Sequence, residues 1–129
     1  MSAADNRQSS IETCLSGHSV LYLTTTGRIS GVPRQIEIWF VESGGKLYLL
    51  AEHFHRAYWV QNIQRNARIE IRIGKHEWRA TGRVLDPGTD REQWELVQEL
   101  FHQKYGWGDG LPVEIRPDAP WPAGFSAPT

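Results

Sequence analysis

The sequence holds a single cysteine, Cys14, among its 129 residues. No internal disulfide can staple the chain, and a reducing compartment suits it. Cys14 itself reads as a structural thiol in a helix rather than a nucleophile. Long apolar runs are also missing: nothing approaches the ~20 residues that a membrane-spanning helix needs. The polar opening from Met1 to Ser10 lacks the apolar segment of a secretory signal. These absences lead us to expect a soluble chain in the cytoplasm. An excess of either charge is missing as well, with 14 Lys and Arg against 15 Asp and Glu. A net charge of −1 gives no footing for general nucleic-acid binding. Repeats, low-complexity tracts and linkers are absent. We therefore expect one domain over residues 1–116, large enough for its own core. Residues 117–129, rich in proline, are expected to be an extended or disordered tail.

Most familiar catalytic signatures are lacking too. The chain has no G-x-S-x-G, H-E-x-x-H or phosphate-loop pattern. His53 and His55 stand two apart, but no third ligand lies at a recognised spacing, so no metal site is expected. Ser30 has no neighbouring base, and Glu37, the one acid inside an apolar strand run, is expected to face solvent. A chain without an evident acid, base or nucleophile leaves its chemistry to a bound cofactor.

Aromatic residues, by contrast, are plentiful: six tryptophans, four tyrosines and four phenylalanines. Some belong to a core, and the surplus suits a pocket wall or an interface. Ser9 or Ser10 can cap a short helix ending before Gly17, with Ile11 and Leu15 on one face. Val20 to Thr25 reads as a strand. Gln35 to Val41 alternates, with Ile36, Ile38 and Phe40 on one side and Glu37, Trp39 and Val41 on the other. The Glu42–Gly45 turn leads into an apolar strand, Lys46 to Ala51, and these three strands are expected to form an antiparallel meander. A helix over 57–66 places Trp59, Val60 and Ile63 at helical spacing. Strands over 68–73 and 77–85 follow. Thr89 and Glu92 form a capping-box pattern that opens a helix carrying Trp94, Val97, Phe101 and Tyr105. Leu111 to Ile115 is expected to be an edge strand, because Pro112 cannot donate to a ladder. The fold class is α+β, mainly β: a closed or split antiparallel barrel of about six strands with two to three helices.

The chain centres on the run from Leu21 to Arg34. An apolar strand meets a turn bracketed by Gly27 and Gly31, and Arg28, Ser30 and Arg34 cluster about it. Glycines allow close approach to bare backbone N–H groups. Arginine forks suit phosphate or carboxylate. Trp39, Trp59 and Tyr105 are available to wall a flat ring.

Thr24-Thr25-Thr26-Gly27-Arg28-x-Ser30-Gly31-x-Pro33-Arg34 resembles the signature of the deazaflavin-dependent nitroreductase and quinone reductase family. Trp59-x-x-Asn62-Ile63-x-x-Asn66 resembles that family's W-x-x-N-L-x-x-N-P helix. The resemblance covers roughly residues 20–85. It implies a split β-barrel related to the flavin-binding pyridoxamine phosphate oxidases, with coenzyme F420 as cofactor and FMN as the alternative. The activity implied is hydride transfer to a quinone, nitro compound or activated alkene, a small-molecule acceptor. A non-catalytic module for a flavin-like or haem-like ligand is the remaining reading. By position, Arg28, Ile29, Ser30, Gly31 and Arg34 match the clasp for the coenzyme tail. Ile36, Ala51, Glu52 and His53 fall where members line the ring, and Trp59 with Asn62 stand at the helix start beside it. Trp39 matches an aromatic against the substrate, and Tyr105 or Trp107 a mobile aromatic lid. Tyr105, His53 and bulk water are the candidate proton sources. Members commonly carry lysine where this chain has Ile29, so the clasp has one cation fewer. Barrel relatives often pair through a sheet face, which implies a homodimer.

Overall fold

The computed structural model describes residues 20–118. The helix expected before Gly17, Cys14 within it, and the tail from residue 119 onward lie outside them. Seven strands are described: β1 (Val20–Thr26), β2 (Pro33–Trp39), β3 (Val41–Ser43), β4 (Lys46–Ala51), β5 (Arg68–Ile73), β6 (His76–Val84) and β7 (Leu111–Pro117). A single 3-10 turn (Phe54–Arg56) precedes helix α1 (Tyr58–Arg65), and α2 (Arg91–Tyr105) lies between β6 and β7. The strands form one sheet in the order β2-β1-β5-β6-β7-β4-β3, with every pairing antiparallel.

That order corrects the expected meander. The run read as one strand over 35–41 breaks at Phe40, so β2 pairs with β1 while β3 pairs with β4 at the opposite edge. One residue therefore joins the first and last strands of the sheet. Such a short link forces the sheet to curl on itself into a split barrel. Alternation alone could not reveal the break, because Phe40 is fully buried, as the uninterrupted period requires.

Inside the barrel, alternate residues of each strand meet: Leu21 and Leu23, Ile69 with Ile71 and Ile73, Trp78 and Ala80, Val113 and Ile115. Helix α1 adds Val60 and Ile63 to this core. A second cluster lies beneath α2, where Val97 and Phe101 cover Val41, Tyr48 and Leu50. β4 is therefore covered on both faces, which explains its unbroken apolar sequence.

β7 is not an edge strand: it lies between β6 and β4. Pro112 is tolerated because it stands opposite the end of β6, where Val84 is the last paired residue. Its carbonyl still accepts from Leu85 N–H at 3.1 Å, and the missing donor falls where the ladder stops. The expected capping box does not form either. Asp90 occupies the N-cap without a side-chain cap bond. Thr89 instead binds the Asp86 carboxylate through both its N–H and its hydroxyl. β7 runs on to Pro117, and Asp118 accepts from Thr81 Oγ1 and pairs with Arg68.

Candidate functional site

The glycine turn between β1 and β2 is a closed structure. Gly27 N–H donates to Val32 O at 2.9 Å, Gly31 N–H donates to Gly27 O at 2.8 Å, and Val32 N–H donates to Ser30 Oγ at 3.1 Å. Gly31 has φ of +73°, a left-handed angle that favours glycine. A Cβ on Gly27 would stand 2.8 Å from Ser30 Oγ. Both glycines are thus required by the turn itself.

Helix α1 holds the turn from one side through Asn62, which is buried. The amide oxygen of Asn62 accepts from Arg28 N–H at 3.0 Å and from the Arg28 guanidinium at 3.4 Å. Its amide nitrogen donates to Thr25 Oγ1 at 3.0 Å. Arg28 also lies over the Tyr58 ring, 5.0 Å from its centroid. Asn62 thereby organises the turn and also lines the cleft beside it. Sequence reading passed over Tyr58; its place immediately before the W-x-x-N motif, at the first position of α1, was the available signal.

Two clefts open on this arrangement. The first, about 900 Å³, is lined by Arg28, Ile29, Ser30, Arg34, Tyr58 and Asn62 among others. The second, about 700 Å³, is lined by Trp39, Trp59, Trp107, Glu52 and His53, with Phe101 and Glu37. Ile36 and Trp59 line both. The two clefts adjoin across these shared residues, and together they form a groove region that is cationic at one end and aromatic at the other. Glu37 is exposed along its length, facing outward as expected.

The structure brings nearly all the candidate residues to this groove. Gly31 sits in the turn and shapes it through its left-handed backbone. Ala51 is buried at the end of β4, behind Glu52 and His53 rather than on the surface. Tyr105 stands behind Trp39, the two rings stacked 4.5 Å apart and 1° from parallel. Its hydroxyl donates to Phe40 O at 2.6 Å, and burial pushes its pKa up to about 12. Trp107 is packed tightly: a Cβ on Gly110 would meet the Trp107 ring at 3.0 Å and the Ala51 carbonyl oxygen at 2.8 Å.

The groove fits a flat, anionic cofactor on its own geometry. The Arg28 and Arg34 side chains stand at one end, and an indole wall stands at the other. Among the described residues no helix is long and apolar enough to cross a membrane.

Several solved structures share the fold. An F420-H2 dependent reductase, FDR-A, superposes with a TM-score of 0.58 at 24% identity, covering 77% of this chain and 94% of its own. HutZ, the heme storage protein of Vibrio cholerae, superposes at 0.69 with 17% identity, covering 84% and 88%. A structure solved as a domain-swapped dimer gives 0.55 at 23% identity, covering 88% and 94%. The sequence profile of the F420H(2)-dependent quinone reductases matches residues 2–115. The glycine-arginine turn, the Trp59–Asn62 helix and this match together assign the chain to the F420H(2)-dependent quinone reductase family, oxidoreductases with coenzyme F420 as cofactor.

Proposed function

We propose that the protein carries out hydride transfer from reduced coenzyme F420 to a small electron-poor acceptor: a quinone, a nitro compound or an activated alkene. One observation carries this reading. The cationic cleft and the aromatic cleft meet at Ile36 and Trp59. A ligand with a charged tail and a flat ring can lie through both and present its ring to a second molecule at the aromatic end.

When bound, the reduced coenzyme supplies the hydride. The protein supplies position and surroundings. Arg28, steadied by Asn62 and Tyr58, and Arg34 hold the anionic tail. Ile36 and Trp59 pack against the ring and exclude water from it. Trp39 and Trp107 form the acceptor end, with Glu52 and His53 beside them. His53, the imidazole lining that cleft, is positioned to hold a proton for the acceptor.

The test uses ring fluorescence of the purified protein with coenzyme F420 and, separately, with FMN. Binding of F420, followed by oxidation of its reduced form in the presence of quinones or nitroaromatics, is expected. Tight FMN binding with none for the deazaflavin would overturn the reading. Binding without oxidation across the acceptor panel would favour a non-catalytic carrier. The cytoplasm is the compartment we assign, in keeping with a lone cysteine. A homodimer is the assembly we assign, supported by the domain-swapped dimer that shares this fold. Light scattering is expected to give about twice the 14.8 kDa of one chain.

A further inference from the structure

We infer that Tyr105 is a positioning residue: its hydroxyl clamps the break between β2 and β3, and its ring fixes Trp39 as a flat wall that selects planar acceptors. This deepens the proposed function and rests on it for the identity of the aromatic cleft as the acceptor end.

The break creates the need. The β1–β2 ladder ends with Trp39 opposite Val20, and the β3–β4 ladder begins with Val41 opposite Tyr48. Phe40, between them, has no partner in either register. A buried backbone N–H and C=O left unpaired are costly. Tyr105 answers both groups with one hydroxyl: Phe40 N–H donates to it at 3.2 Å, and it donates to Phe40 O at 2.6 Å. Lys104 Nζ donates to the same carbonyl at 3.2 Å. The last turn of α2 therefore grips the single residue that joins the two edges of the sheet.

The ring then acts on the next residue back. Tyr105 stacks on Trp39, and the buried Phe101 meets Tyr105 at 5.4 Å. Trp39 has given one face to Tyr105, yet it remains 43% exposed and lines the aromatic cleft. Its other face is the one offered to a ligand. An indole held in one plane binds without losing rotamer freedom at that moment. Its electron-rich face suits a planar, electron-poor ring, while a puckered aliphatic acceptor gains little from it. The same commitment of the hydroxyl to Phe40, with a pKa near 12, sets Tyr105 apart from a proton donor.

The experiment measures equilibrium binding to the full chain of two probes: planar 2,3-dimethyl-1,4-naphthoquinone and puckered 3-methylcyclohexenone. Tyr105→Leu is expected to raise the Kd of the quinone roughly two- to tenfold, the worth of one aromatic pair, and to leave the cyclohexenone unchanged. Trp39→Leu should reproduce that selectivity, and Tyr105→Phe, which keeps the ring and releases Phe40, should fall between. In turnover, KM for the quinone should follow its Kd while kcat stays level. Equal weakening of both probes, weakening of neither, or a fall in kcat at unchanged KM would each overturn the inference. If Tyr105→Leu does not fold, the Tyr105→Phe and Trp39→Leu results decide it. Failure of the proposed function reads out separately, as wild-type protein that oxidises no reduced coenzyme with any acceptor.

Discussion

Arg34 and Ile29 show how much a single side chain at the clasp can change. Arg28 is already engaged by Asn62 and Tyr58. Arg34 is exposed on the cleft wall and its side chain makes no hydrogen bond or ion pair among the described residues, so its fork is available to a ligand. Arg34→Ala is expected to weaken coenzyme binding by ~1.5–3 kcal/mol, an order of magnitude or more in Kd. An unchanged affinity in the folded variant, read by fluorescence titration, would remove Arg34 from the clasp. Ile29 is 88% exposed at the lip of the same cleft, where members of the family commonly place lysine. Ile29→Lys is expected to tighten binding by about 0.3–1 kcal/mol, the worth of an exposed ion pair. Raising salt from 50 to 500 mM should erase most of that gain. A gain that persists in high salt would mean that the lysine acts by something other than charge.

At the scale of the element, Asn62 couples α1 to the β1–β2 turn. Three hydrogen bonds converge on one buried amide, so Asn62→Ala removes the tie and leaves Arg28 N–H and Thr25 Oγ1 to find new partners. A loss of about 2–3 kcal/mol in stability is expected, together with weaker coenzyme binding as Arg28 loosens. Denaturant melts and the same titration measure the two effects. Loss of stability with full affinity would limit Asn62 to the fold. The glycine turn and this helix were legible in the sequence because each is local: glycines mark the turn, and three-residue spacing places Trp59 and Asn62 on one face. The inward isoleucines of β5 and the C-terminal stop of α2 were legible for the same reason. What escaped was long-range. Phe40 satisfies the alternation of β2 while ending it, and the break shows only in long-range partners: the separate ladders on either side and the hydroxyl of Tyr105, 65 residues away. Pro112 argued for an edge, but its missing donor falls beyond the last pair of β6. The Thr89–Glu92 pattern promised a cap, but the Asp86 carboxylate captured Thr89 first.

For the molecule as a whole, Glu114 is the junction. It is buried, 2% exposed, on the face of β7 beneath α2. It accepts from Lys46 of β4, Arg83 of β6 and Gln93 of α2 at 3.2, 3.3 and 2.7 Å. Gln93 in turn donates to Tyr48 Oη at 2.7 Å. Burial alone would push the Glu114 carboxyl up. The hydrogen bonds from Gln93, Arg83 and Lys46, with the charge of Lys46, outweigh burial and hold it below the ordinary carboxylate value. A carboxylate lowered on folding contributes stability that is complete above its unfolded pKa and is lost as pH falls through its folded one. Glu114→Gln keeps the shape and removes the charge, so it is expected to cost about 1–3 kcal/mol at pH 7. The gap between variant and wild type should narrow as pH drops below the ordinary carboxylate range, because the wild type then loses the same charge. Wild-type stability should go on falling in acid beside it. Asp86 is held low by the Thr89 and Gly88 N–H groups, and Asp90 by the Asp86 N–H and Arg83, so both titrate late. Thermal melts at pH 7 and pH 3 decide the matter. If the Tm difference at pH 3 equals that at pH 7, Glu114 holds the strands and α2 together by shape and hydrogen bonding rather than by charge.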